Sequence, residues 1–264
     1  MRAIISWISI VIVFLVITVL PALAVDTKGL ILFFDFDHVK GNTVENMTGE
    51  KHDGTLKGGA TIVKDPKKEG TGALKIAGGT QMMEVDTFKE LEEYQDNTYL
   101  FWIYFTDPAS GGWDQVLAKP APGSDRSPGL WVETGGLGIH WRFNPGNMGF
   151  WGLGPEGDRT HFDQKKWYHV AGAKKGGELI GYVDGEEKGK IAVPAVHTQG
   201  PFSLYIGDSP AYGGPAAKFI IDEIVVYTRA LEEDEVKEIM KGALRPVSAK
   251  GKLASTWGGL KRLY

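Results

Sequence analysis

Four carboxylates lie where they could do chemistry together. Asp35 and Asp37 follow an apolar run near the start of the chain, and Asp222 and Glu223 interrupt the apolar run FIIDEIVVY near its end. Side chains alternate along a strand, so Asp35 and Asp37 share a face while Asp222 and Glu223 are expected on opposite faces. Carboxylates brought together in a partly buried place must share a proton, pair with a base such as Arg229, or bind a cation, and hydrogen bonds from backbone amides are a further alternative.

A second candidate group is aromatic. Four of the eight tryptophans lie between residues 113 and 151. Aromatic faces stack on the C–H-rich faces of sugar rings, while amide and guanidinium groups bond to sugar hydroxyls. Trp131 and Trp141, each inside an alternating run, are predicted to fill the core. The predicted ligand-binding residues are those near turns: Trp113, Arg142, Phe150 and Trp151. A protein partner would use the same side chains, and plain packing is the alternative for all of them.

Charge and composition narrow the classes of function. The chain has 264 residues and a formal net charge of -4, with 29 basic and 33 acidic residues mixed along it. A polyanion needs a large basic face, so nucleic acid is not an expected partner. The 36 glycines and 13 prolines are spread out, which favours many tight turns between short strands.

The first residues predict export. Arg2 precedes the apolar run Ile4–Leu20, and Pro21 and the small-residue site Ala22-Leu23-Ala24 follow. This layout is typical of a signal peptide over residues 1–24, with an uncleaved membrane anchor as the alternative. The product would be secreted, periplasmic or associated with the cell envelope, and would meet a membrane only through an uncleaved N-terminal segment. The chain has no cysteine and therefore no disulfide.

The remaining pattern predicts one domain over residues 25–243 and a basic tail over 244–264. Short alternating runs separated by Gly-Gly and Asp-Gly pairs favour an all-β, two-sheet antiparallel jelly-roll β-sandwich. Asp184-Gly185 predicts a two-residue hairpin turn. One short C-terminal helix is predicted from Leu231 to Lys241, where apolar residues recur with helical spacing.

The order of these segments resembles the laminin-G-like, concanavalin A-like jelly-roll family of exported bacterial proteins. Four stretches between Leu30 and Met240 carry the resemblance: FFDFDHVKGNTVENMTGEKHDGTLKGGATIV, GTGALKIAGG, KKWYHVAGAKKGGELIGYVDGEEKG and FIIDEIVVYTRALEEDEVKEIM. Two features depart from the family pattern. Glu232 replaces the usual serine at the helix start, and the insert DPASGGWD precedes a strand.

The resemblance implies a structural calcium ion (Ca2+) near the first and last strands. Its ligands would be Asp35 and Asp222, with loop carbonyls near Gly49 and Lys51. Calcium takes about six to eight oxygens, which the polar loop between these residues can supply. Glu223 is then expected to face solvent.

The resembled family also contains glucanases, so glycan cleavage is the alternative function that the resemblance implies. A retaining glycosidase needs two carboxylates roughly 5 Å apart, and the resemblance implies an E-x-D-x-x-E string that the chain lacks. Glu84-x-Asp86 has no third acid, and neither G-x-S-x-G nor H-E-x-x-H occurs. His169 is predicted to be a hydrogen-bonding residue at the core edge and not a catalyst.

The sequence therefore predicts an exported, non-catalytic recognition module that binds a glycan or an extracellular, cell-surface protein and is stabilised by calcium. A divergent glycan-cleaving enzyme of the same fold and a structural envelope-associated protein are the alternatives.

Overall fold

A computed structural model describes residues 25–123 and 125–245. The predicted signal segment and residues 246–264 of the predicted tail lie outside the described residues. Within the two described ranges, no helix is both long and apolar enough to cross a membrane.

The described residues form seventeen strands and two helices. The first nine strands and the first helix are β1 Leu30–Phe34, β2 Val39–Lys40, β3 Thr43–Val44, β4 Gly54–Lys57, β5 Thr61–Val63, β6 Ala73–Gly79, β7 Met82–Val85, α1 Lys89–Glu93, β8 Asn97–Phe105 and β9 Asp114–Ala121. The others are β10 Asp125–Val132, β11 Ile139–Phe143, β12 Met148–Leu153, β13 Trp167–Lys175, β14 Glu178–Val183, β15 Glu186–Ala192, β16 Leu204–Gly207, β17 Ala216–Tyr227 and α2 Glu233–Met240.

Strand pairing divides these elements into two antiparallel sheets. In the first sheet, β17 pairs with β6 and β1 along one edge and with β8 along the other, and β13, β14 and β15 continue outward from β8. The second sheet runs β3, β4, β7, β16, β9, β10, β11 and β12. The sheets join where Ala216 pairs in parallel with Gln115. The predicted β-sandwich is confirmed, and the first and last long strands, β1 and β17, pair with each other.

The core lies between the two sheets. In β8, Tyr99, Phe101 and Ile103 point inward at every second position, as the alternation of apolar residues requires. The indole of Trp141 stacks on Phe101 with ring centroids 6.3 Å apart. It also lies directly over Gly172, where a Cβ would come within 2.6 Å of the ring. Burying an aromatic ring of this size contributes about 2–3 kcal/mol to stability. A side chain at position 172 would push the ring out of this place, so a glycine is needed there.

Helix α2 covers the outer face of the first sheet. Its Val236 and Ile239 pack with Phe33 and Leu100 in a second, smaller core. The helix is two residues shorter at its start than the sequence predicts. Glu232 caps it in place of the family's serine, through a reciprocal pair of side-chain-to-backbone bonds with Glu235.

The predicted two-residue hairpin is confirmed. Asp184 and Gly185 have φ angles of 52° and 79° and join the paired residues Val183 and Glu186. Both positive φ values are those that an Asp-Gly turn adopts at low cost.

Candidate ligand-binding site

An aromatic pocket lies on the outer face of the second sheet. Leu130, Trp141 and Phe150 of the strands β10, β11 and β12 point into the core. Since side chains alternate, the neighbouring residues point outward. The pocket encloses about 330 Å³ and is lined by Trp113, Arg126, Trp131, His140, Asn147, Trp151, Tyr212 and Gly213. This volume is at the small end for ligand pockets and suits about one sugar ring.

Two half-exposed indoles form the open side of the pocket. Trp113 and Trp151 are 37% and 36% exposed. Their ring centroids are 5.7 Å apart with an interplanar angle of 79°, an edge-to-face arrangement. The structure thus brings together two residues that the sequence predicted as ligand contacts from their nearness to turns.

The insert DPASGGWD positions Trp113. Asp114, which is 3% exposed, accepts hydrogen bonds from the backbone N–H and the hydroxyl of Ser110, at 2.7 and 2.5 Å. Gly111 allows the tight turn between them because its φ is +93°, which residues with a Cβ rarely adopt. The buried carboxylate of Asp114 therefore fixes the conformation of the loop, and with it the position of Trp113.

Trp131 is an inner wall of the pocket and not a core residue, which corrects the prediction. Its indole lies over Gly129, where a Cβ would be 2.0 Å from the ring. The rings of Tyr212 and Trp131 pack edge to face with their centroids 5.2 Å apart. The Arg126 guanidinium lies 4.7 Å from the Trp131 ring centroid. Trp141 lies in the core as predicted.

His140 joins the two exposed indoles. Its ring centroid is 4.5 Å from that of Trp113 and 5.1 Å from that of Trp151. Burial is the main reason that the pKa of His140 is lowered to about 4. The hydrogen bond to the Trp151 carbonyl raises this pKa, whereas the charges of Arg142 and Arg126 lower it further. The neutral ring donates from Nδ1 to that carbonyl at 2.8 Å, so Nε2 is an acceptor.

Three guanidinium groups surround the aromatic rings. Arg126 donates from Nη1 to Asn147 Oδ1 at 2.7 Å, and Arg142 donates to the Gly149 carbonyl. Arg142 and Arg159 lie 5.7 and 5.2 Å from the Trp151 centroid, within the range of a cation–π contact. Arg142, a predicted ligand residue, therefore supports Trp151 beside the pocket.

The prediction that Phe150 contacts a ligand is wrong. It is 2% exposed and belongs to the core cluster between the sheets, because it alternates with Trp151 on β12. It has no surface to offer a ligand.

The loop that carries Tyr212 is clamped by one buried amide. Gln115 donates to Asp208 Oδ1 and to the Gly214 carbonyl, both at 3.0 Å. Its Oε1 accepts from the Ser209 backbone N–H, also at 3.0 Å. Both ends of the loop are thus tied to β9 at the junction of the two sheets. No local sequence signal indicates this, since Tyr212 reaches the pocket only through the fold.

The carboxylates singled out by the sequence lie elsewhere, beside β1 and β17. Asp35 bonds to His38 Nδ1 at 3.0 Å. Asp222 accepts from the backbone N–H groups of Lys68, Glu69 and Glu223, at 3.1, 3.1 and 2.9 Å. Burial raises the pKa of Asp222 to about 7, opposed by these amides and reinforced by the Glu223 charge.

Glu223 does not face solvent and does not alternate with Asp222 as expected. It has a φ of 54° at a bulge in β17, so that Ile221 and Ile224 both point into the core. The side chain of Glu223 is buried and accepts from Arg245, whose Nη1 also lies 3.7 Å from Asp37 Oδ2. The base that pairs with Glu223 and Asp37 is therefore Arg245 and not Arg229.

The predicted calcium ligands do not converge in this arrangement. Gly49 and Lys51 line a separate pocket with Asp53, whereas Asp222 is occupied by the amides of residues 68, 69 and 223. Across the described ranges, no group of three or more His, Cys, Asp or Glu side chains is placed to hold a metal ion. Asp35 and Asp222 thus already have partners within the protein and lie outside the pocket that Gly49 and Lys51 line, and calcium stays a prediction that a melting experiment can check.

Comparison with known proteins agrees with the fold. The model of the family Laminin_G_3, described as the concanavalin A-like lectin/glucanases superfamily, matches residues 77–237. The chain belongs to this superfamily. The resemblance inferred from the sequence is confirmed, and the match covers every strand that forms the aromatic pocket. No curated protein matches the chain.

Solved structures share the architecture at low sequence identity. A Trypanosoma rangeli sialidase in complex with sialic acid superposes with a TM-score of 0.61 and 18% sequence identity. The alignment covers 82% of the present chain and 33% of the sialidase chain. The binding domain of Paraclostridial Mosquitocidal Protein 1 has a TM-score of 0.62 and 13% identity, over 81% and 52% of the two chains. The chain thus spans about a third to a half of these neighbours, and the likeness shows the fold alone.

Proposed function

We propose that this protein is an exported, non-catalytic glycan-binding module whose site is the pocket between Trp113, Trp131 and Trp151. The observation that carries the proposal is the pair of half-exposed indoles set edge to face at 5.7 Å over a cavity of about 330 Å³. Large aromatics normally fill the core of a β-sandwich, so two neighbouring indoles that stay partly exposed, one on a loop and one on strand β12, indicate a ligand-binding surface.

The polar groups of the pocket suit sugar hydroxyls. Neutral His140 offers Nε2 as an acceptor, and Arg126 offers guanidinium donors beside the Trp131 ring. A sugar ring could stack on an indole while its hydroxyls meet these groups at the ring edge. The superfamily includes lectins, and one structural neighbour is a toxin's binding domain, which is compatible with a binding role.

The acids closest to the pocket already have structural partners, which favours binding over glycan cleavage. Asp158 Oδ1 accepts from the backbone N–H groups of Trp151 and Gly152, at 2.7 and 2.9 Å. Glu133 is 2.7 Å from His161 Nε2. A retaining glycosidase needs one carboxylate as nucleophile and a second as acid and base, about 5 Å apart across the bond that is cleaved.

A glycan array probed with the full chain tests the proposal, followed by titration of the best glycan against Trp113→Ala. We expect at least a tenfold loss of affinity, since a buried aromatic anchor contributes more than about 1.4 kcal/mol. Phe202→Ala is the matched control, because Phe202 is also 37% exposed but lies outside the pocket. Equal losses in both variants, or an array without a binder, would refute the proposal. Release of reducing ends from a bound glycan would instead support the enzyme.

A further inference from the structure

The rim of the aromatic pocket carries more positive than negative charge. The guanidinium groups of Arg126, Arg142 and Arg159 lie 4.7, 5.7 and 5.2 Å from the centroids of the pocket tryptophans that they contact. Asp158 is the acid that influences Arg142 and His140, and its Oδ1 is already bonded to two backbone amides. Among the residues whose side chains the structure describes, three cations therefore face Asp158, one oxygen of which is already engaged.

Burial and nearby charges lower the pKa of Arg142. Burial is the main reason that the pKa of Arg142 is lowered, and the charges of Arg126 and Arg159 lower it further against the opposing charge of Asp158. The same two effects, burial and the nearby arginines, keep His140 neutral. Like charges gathered around one partly buried guanidinium indicate a site that an anion would stabilise.

Unused hydrogen-bond donors point the same way. Within the described part of the chain, Nε of Arg126 and Nε of Arg142 are buried and have no hydrogen-bond partner. Most buried donors in folded proteins are paired, so each of these costs free energy until an acceptor arrives. Arg126 lines the pocket itself, and its Nη1 donates to Asn147.

We infer that the pocket selects glycans that present a carboxylated sugar, whose carboxylate pairs with Arg126 while the ring stacks on the exposed face of one of the two indoles, Trp113 or Trp151. This rests on the proposed function and specifies the class of ligand at the same site. The planar guanidinium fork matches the two oxygens of a carboxylate, which makes this group a better partner than a single hydroxyl. His140 Nε2, as a neutral acceptor, takes a sugar hydroxyl and not the anion.

An array that carries neutral, carboxylated and sulfated glycans separates the outcomes. Binding concentrated among carboxylated glycans supports the inference. Binding to neutral glycans alone, or to sulfated glycans in preference to carboxylated ones, overturns it but leaves the proposed function standing. An array without any bound glycan overturns both.

The best carboxylated glycan is then titrated against charge variants. We expect Arg126→Gln to weaken binding at least tenfold and Arg126→Lys, which keeps the charge, to weaken it less. Lys190→Gln is the control, because it removes one charge from an exposed side chain that does not line the pocket. The methyl ester of the same glycan should bind wild type and Arg126→Gln equally. Unchanged affinity in Arg126→Gln, with an unchanged melting temperature, would overturn the inference.

Discussion

Replacing Arg245 by methionine tests how the acids beside β17 are held. Arg245 donates from Nε to Glu223 at 2.6 Å, and the carboxylate lies in a side chain that is only 9% exposed. Methionine has a similar length and no charge, so Arg245→Met removes the partner with little change of volume. A buried carboxylate without its partner is the costly state, more than the loss of the ion pair as such.

The expected loss is large. Removing one partner of a buried ion pair typically costs about 3–5 kcal/mol. In a domain of this size, each 1 kcal/mol shifts the melting temperature by roughly 2–4 °C, so the midpoint should fall by roughly 6–20 °C. The variant Glu223→Gln/Arg245→Met removes both charges and should recover most of this loss.

The dependence on pH has a definite sign. Burial already raises the pKa of Glu223, with Arg245 opposing and Asp35 adding to the rise. Without Arg245 the folded-state pKa rises further above its unfolded value. The destabilisation should then be small below the unfolded pKa, where the carboxyl is protonated in both states, and should grow as the pH rises through the folded pKa.

Urea unfolding of wild type, both single variants and the double variant, at several pH values between 4 and 8, measures these effects. The double-variant cycle isolates the coupling between the two side chains. If Arg245→Met unfolds like wild type at pH 8, or if the double variant is no more stable than Arg245→Met, then Glu223 is not stabilised by this pair.

Three further predictions concern other parts of the molecule. Burial, reinforced by the Lys68 charge, lowers the pKa of His169 to about 3. The unfolded chain therefore binds a proton that the folded chain excludes, and between pH 6.5 and 4.5 the stability measured by urea unfolding should fall by about 2–3 kcal/mol more in the wild type than in His169→Phe. Gly172→Ala should lower the melting temperature, since its Cβ would lie 2.6 Å from Trp141 and overpacking costs about 1–3 kcal/mol, whereas Gly135→Ala, with nothing within 4 Å, should not. The calcium prediction is checked by melting the protein with calcium and with EDTA: bound calcium raises the midpoint of the wild type but not of Asp222→Ala, and equal midpoints would end that prediction.

Local chemistry explains which parts of the fold are readable from the sequence. Asp184-Gly185 is one of few dipeptides that take two positive φ angles cheaply, so the hairpin could be predicted. The alternation in β8 likewise predicts which residues face the core. The bulge in β17 could not be predicted, because Glu223 adopts a positive φ without a glycine to mark it.

The candidate site divides in the same way. Trp113 and Trp151 could be singled out because turns flank them, and the parity of β12 would have excluded Phe150. Trp131 looked like a core residue because its own strand alternates, and only the strand order shows which of its two faces is solvent. Tyr212 comes from a loop remote in sequence, and Arg245 lies beyond the helix, so neither contact has a local signal.

The clamp on the loop at residues 208–214 separates two tasks that often conflict. Gln115 fixes the ends of this loop with a fully buried amide, at the point where the two sheets meet. The tip between those ends contributes the Tyr212 wall of the pocket without contributing to the core. The proposed ligand preference can therefore change by substitution at the tip while the anchor and the sandwich stay as they are, which makes this loop the place to engineer a new specificity in the proposed binding module.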